Sequence, residues 1–183
     1  MRAFVLLAAG AIVMSAAPGQ ASIITLGSTN AESCYHAAEA RNTSSRAIEA
    51  CNIALMAEPL AVPDRVATHV NRGILRMAAG DLVRANQDFD RALALDPDQA
   101  EAWLNKAAAE VNGGNVRSAG QMARRALALG TRKPAIAYYI LGIVHEESGN
   151  LKAAYADFRR ARDLAPQWRE PAVELARYQL RQR

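Results

Sequence analysis

The sequence predicts an all-α fold, a solenoid of helical hairpins closed by a C-terminal capping helix. Three observations carry that prediction. Small residues recur on one schedule: Gly73, Gly80, Ala85, Phe89, Ala92, Pro97; then Ala107, Gly114, Ala119, Ala123, Ala126, Thr131; then Gly142, Gly149, Ala154, Phe158, Ala161, Pro166. The step is 34 residues from Gly80 to Gly114 and 35 from Gly114 to Gly149, a period at which each unit is a helix pair that buries its apolar face only against its neighbours. Each period is also divided by a turn, Gly80-Asp81, Gly113-Gly114-Asn115 or Gly149-Asn150, that separates two stretches of helical periodicity.

The chain opens with Met1-Arg2, an apolar run over residues 3–17, and Gly19-Gln20-Ala21, which places small residues where a signal peptidase reads them. Residues 1–21 are therefore expected to be a signal peptide cleaved after Ala21, giving a periplasmic or secreted protein. The run is short and carries Gly10 and Ser15, so an uncleaved membrane anchor is the weaker reading. No cysteine directly follows the run to take a lipid, since Cys34 is preceded by Ala31-Glu32-Ser33.

Residues 22–65 form an N-terminal segment that holds both cysteines, Cys34 and Cys51. In an oxidising compartment such a pair reads as a disulfide, with two buried thiols as the alternative. Shifted by 38 residues, Ala47, Cys51, Ala54 and Pro59 coincide with Ala85, Phe89, Ala92 and Pro97, with an insertion over residues 61–64. The segment is thus a degenerate hairpin in which Cys51 replaces the aromatic filler, and a bridge would staple a solenoid end that has only one neighbour. Zinc is not expected, because no third and fourth ligand sit at suitable spacing.

Residues 66–99 are the first clear unit, with helices expected over 66–79 and 82–95, Gly73 and Ala85 at the close approach and Phe89 filling the next gap. Residues 135–168 repeat that arrangement with Gly142, Ala154 and Phe158. Residues 100–134 depart from it: Ala107 replaces glycine, Ala123 the aromatic and Thr131 the proline, and Pro134 is an extra residue. Residues 169–183 read as a capping helix with Pro171 in its first turn.

These small residues, aromatics and terminal prolines resemble the tetratricopeptide repeat, and the resemblance, to an exported bacterial member, covers most of the chain after residue 21. It implies a right-handed superhelical solenoid, a scaffold without cofactor that holds a peptide or helix of another protein against the first helix of each hairpin. Carried over position by position, the groove residues are Val70, Asn71 and Ile74 in the first unit, Leu104 and Asn105 in the second, and Tyr139 and Ile143 in the third. Asn71 and Asn105 recur one repeat apart, and stacked amides can pair with an extended backbone, the alternative being that they satisfy helix backbone. Some members clamp a terminal carboxylate with lysines and arginines. The neighbouring inward positions here, Glu32, His36, Glu101 and Leu104, supply no positive charge and argue against that mode.

Nothing in the sequence gathers a catalytic group. His36, His69 and His145 fall at unrelated positions, and consecutive residues such as His145-Glu146-Glu147 point in different directions on a helix. Asn112-Gly113-Gly114-Asn115 is a turn, not a phosphate loop, because no strand precedes it. From residue 22 to 116 there are eight Lys/Arg against twelve Asp/Glu, and from 117 onward thirteen against six. The rear arginines, Arg124, Arg125, Arg159, Arg160 and Arg162, fall on second helices, which face outward. They are expected to be solvated, or to make weak contact with an anionic membrane surface or an acidic partner. Nucleic acid is disfavoured by export and by scarce aromatics already assigned to packing. The expected function is a periplasmic, non-enzymatic adaptor for protein partners. The alternatives are an enzyme or accessory subunit acting on an envelope polymer, and a peripheral membrane-associated assembly factor.

Overall fold

The structure, a computed structural model of the chain, describes residues 29–180. The expected signal segment 1–21 and the last three residues lie outside the described part. Among the described residues nine helices follow one another: α1 (Thr29–Glu39), α2 (Ser45–Ala57), α3 (Val62–Ala78), α4 (Leu82–Leu95), α5 (Ala100–Asn112), α6 (Val116–Ala128), α7 (Pro134–Glu147), α8 (Leu151–Leu164) and α9 (Arg169–Leu180). Each packs on the helix before and after it, and α1, α3, α5 and α7 also pack side by side. The result is an all-α stack of hairpins whose first helices form one layer.

Local chemistry starts and stops these helices. The Asp81 side chain accepts from the Arg84 amide at 3.1 Å and Asn150 from the Ala153 amide at 3.1 Å, satisfying donors that the first turns of α4 and α8 leave open. Gly80 ends α3 with φ +83°, and the Gly80 and Asp81 amides return to the Met77 and Arg76 carbonyls at 3.0 and 2.8 Å. One boundary differs from expectation. Helix α3 begins at Val62, not residue 66, because Pro63 in the first turn lets the four inserted residues add a turn of helix.

Packing between partner helices turns on size complementarity. A Cβ at Gly142 would stand 2.5 Å from Cε1 of Phe158, and one at Gly73 would fall into the Phe89 ring. In the second unit Ala107 and Ala123 occupy the corresponding positions, both fully buried, so the loss of the large ring is matched by a methyl on the facing helix. Thr131, where the other units have proline, is also buried. Its hydroxyl donates to Glu101 Oε2 at 2.7 Å, and Glu101 Oε1 accepts from the Arg132 amide at 2.9 Å, which locks the α6–α7 loop onto α5.

The ends are closed differently. Cys34 on α1 and Cys51 on α2 are bridged, both fully buried, with Cα atoms 4.9 Å apart, and they pack with Ala38, Ala47 and Leu75. At the other end Leu175 and Tyr178 of α9 cover Ala154 and Phe158.

Between α2, α3 and α4 lies an ion cluster. The Asp88 carboxylate, fully buried, accepts from Arg72 Nε at 2.9 Å and from Arg76 at 2.7 Å, and His69 Nδ1 stands 3.4 Å away. Arg91 approaches within 3.6 Å, and Arg72 also donates to Asn52 Oδ1 on α2 at 2.8 Å. Burial by itself raises the carboxyl. The hydrogen bonds from His69 and Arg72 and the charges of Arg72 and Arg76 outweigh it and hold Asp88 below the ordinary carboxylate range.

Candidate protein-binding groove

The residues expected to line the groove separate into two sets. Val70, Asn71 and Leu104 are buried at 0, 0 and 1 % exposure, so a partner cannot touch them without unpacking the stack. This corrects their assignment as binding residues. The physical reason is that α5 has α3 on one flank and α7 on the other, and Leu104 sinks into the core with Ala107, Ala123 and Ile140. Asn105 is half-buried, and its amide donates to the Glu101 carbonyl one turn back at 2.8 Å, so it satisfies its own helix backbone. Ile74 is half-buried among the clusters that include Val66, Leu75 and Phe89. Glu101, expected at an inward position, is likewise buried and engaged by Thr131 and Arg132.

Tyr139 and Ile143 fare differently. Both are half-buried on α7 and line an open groove of about 560 Å³. Ile136, Tyr139 and Ile143 stand three and four residues apart and so share one face of that helix. Val111 of α5 forms one wall and Trp168, in the α8–α9 loop, another. The Tyr139 ring lies 4.8 Å from that of Trp168 and 5.5 Å from that of Phe158, tilted against both. Burial raises the Tyr139 phenol above its ordinary value, and the carboxylates of Glu174 and Glu170 add to the shift. The groove lies beside the cluster in which α9 covers Phe158 and Ala154: Tyr139 and Ile143 pack partly against that cluster and also line the groove.

Sequence reasoning did not find Ile136, Val111 or Trp168. The spacing of Ile136 to Tyr139 and Ile143 was available as a signal. The position of Trp168 was not, because it depends on how the α8–α9 loop folds back. Nor did sequence reasoning place Arg41, Arg132 and Lys133 on the rim of this groove. Arg41 belongs to the α1–α2 turn and the other two to the α6–α7 loop, about ninety residues away along the chain.

The remaining candidates resolve into structural contacts. His69 and His145 face carboxylates, the latter 2.7 Å from Asp157, and His36 lies 3.8 Å from Glu32. Of the outward arginines, Arg125 pairs with Asp98 at 2.7 Å, Arg162 with Asp163 at 2.7 Å, and Arg160 lies 5.7 Å above the Tyr138 ring. Arg124 and Arg159 are exposed on the same outer layer. Among the described residues no helix is long and apolar enough to cross a membrane, and no group of three or more His, Cys, Asp or Glu is placed to hold a metal.

A stack of hairpins with an open apolar groove over the first-helix layer defines a class: the helical-repeat interaction module. A tetratricopeptide-repeat profile matches residues 76–138, so this part of the chain is similar to the tetratricopeptide repeat. Among solved structures it is similar to MamA: one at 26 % identity covering 70 % of this chain and 72 % of that one, with a TM-score of 0.58. A MamA RS-1 double mutant aligns at 21 % identity over 85 and 86 % of the two chains with a TM-score of 0.65. A third, also MamA, aligns at 23 % over 80 and 79 % with a TM-score of 0.61. No curated protein sequence matches the chain. The repeat points to a protein-interaction scaffold, and the solved structures support the helical-repeat fold.

Proposed function

We propose that this protein is an exported adaptor that holds a peptide segment or helix of a partner in the groove over α7. The observation that supports it is the half-buried row Ile136, Tyr139 and Ile143 facing Trp168, an apolar surface that the stack leaves open. Bulky apolar side chains from a partner would be buried there, while the hairpins behind hold the row rigid. Export rests on the residue 1–21 pattern and agrees with the Cys34–Cys51 bridge, since disulfides persist in oxidising compartments.

Two measurements test this reading. The protein recovered from an expressing cell should begin at Ser22, read by intact mass and N-terminal sequencing; a retained Met1 or a cytosolic pool overturns the export proposal. Cross-linking in intact cells should capture a partner whose yield falls with Tyr139→Ala and Ile143→Ala. Undiminished capture by that double variant overturns the groove.

A further inference from the structure

Five residues of the described chain have a left-handed backbone, and four of them are glycines at helix ends, Gly80, Gly114, Gly130 and Gly149. The fifth is Arg41, φ +50°, which ends α1 in the same manner: the Asn42 amide returns to the Ala37 carbonyl at 2.9 Å and the Arg41 amide to Ala38 at 3.2 Å. A Cβ disfavours this conformation, so glycine would serve the turn better. Strain of this kind is retained where the side chain has a role of its own. The Arg41 side chain lines the groove, across from Lys133 at the start of α7.

Among the described residues no carboxylate lies within ion-pair distance of Arg41 or of Lys133. The third rim cation, Arg132, is engaged by Glu101 at 3.2 Å. Burial lowers the Lys133 ammonium from its ordinary value, and the Arg41 charge lowers it further. Glu39 and Glu101 act in the opposite sense from a distance, and Glu170 sits on the groove wall by Trp168. Helix α7 adds its positive end, with no side chain capping its first turn and no acidic residue in it. Two like charges thus stand together beside an apolar row, with carboxylates acting on Lys133 only from beyond ion-pair distance.

We propose that Arg41 and Lys133 form a receptor for an acidic side chain, so that the groove selects partner segments in which Asp or Glu stands next to large apolar residues. The proposal rests on the groove reading above and adds its charge preference. The occupant is a segment of another protein, and the cationic rim beside the apolar row gives the charge complementarity that selects it.

The test uses a phage-displayed library of random peptides selected on the whole mature protein. Wild type should enrich Asp or Glu beside Leu, Ile or Phe. A recovered peptide, synthesised with both ends blocked, is then titrated against Trp103→Phe protein, in which Trp168 is the remaining tryptophan and reports on the groove. Its Glu→Gln form should bind about tenfold more weakly, the order expected for loss of a charge-assisted contact. Arg41→Gly with Lys133→Gln should bind both forms alike; Arg41→Gly suits the turn, so loss of fold does not confuse the result. Selection without acidic enrichment, or a tenfold preference that survives in the double variant, overturns the receptor and leaves the groove standing. Recovery of the same peptides by Tyr139→Ala with Ile143→Ala overturns the groove itself. Failure to recover any peptide overturns both, and a Trp168 response to laurate in that case identifies a lipid anion as the occupant.

Discussion

Gly142 of α7 lies beneath the ring of Phe158 of α8 so closely that a methyl group on the glycine would stand 2.5 Å from Cε1. The same relation joins Gly73 and Phe89, and the middle unit replaces both members at once, with Ala107 facing the Ala123 position.

From this pairing, Gly142→Ala is expected to destabilise by about 1–3 kcal/mol through overpacking against a ring that its neighbours hold in place. Ala123→Phe in the second unit should cost a similar amount alone. Combined with Ala107→Gly, part of that loss should be recovered, a coupling that a double-mutant cycle in urea measures directly. Strict additivity of the two changes would refute size complementarity.

Asp88→Asn is expected to cost about 3 kcal/mol, because it leaves the buried Arg72 and the half-buried Arg76 without their counter-charge. The sign of the pH dependence follows from the depressed carboxyl. Its contribution is fully present above the unfolded carboxylate value and is lost as pH falls through the lower folded one. The stability gap between wild type and Asp88→Asn should therefore hold steady down to about pH 5 and narrow as pH drops below about 4, read from urea midpoints. A constant gap would remove the ionic account.

Breaking the Cys34–Cys51 bridge should weaken the N-terminal hairpin first. The bridge spans 17 residues of chain, a loop whose closure is worth about 3 kcal/mol in the chain-entropy account. Because a solenoid end is held by one neighbour only, amide exchange in Cys34→Ser with Cys51→Ser should accelerate in α1 and α2 well before α7 and α8. Uniform acceleration along the chain would show a more cooperative stack than this packing implies.

Much of the fold was legible in the residues because it depends on local and periodic rules. Gly80 and Gly149 mark helix ends through their backbone freedom, Asp81 and Asn150 mark starts through side-chain acceptors, and the recurrence of Phe89 and Phe158 marks the packing unit. The start of α3 was misplaced by one turn because an insertion of four residues preserves helical phase nearly as well as a loop does.

The site was less legible, since equivalent repeat positions do not remain equivalent once stacked. Val70, Leu104 and Tyr139 share one register, yet the first two are buried and the third is half-buried on the groove, because α3 and α5 each pack against first helices on both sides while α7 packs against one first helix, α5. By itself the sequence determined the helical hairpins, their period, the bridged end and the pairing of small with large residues, all of which follow from chain-local chemistry. Only the tertiary structure decided which face of which helix a partner can reach, and that Arg41 stands beside Lys133. Superhelical stacking brings together groups about ninety residues apart, and no local rule carries that information.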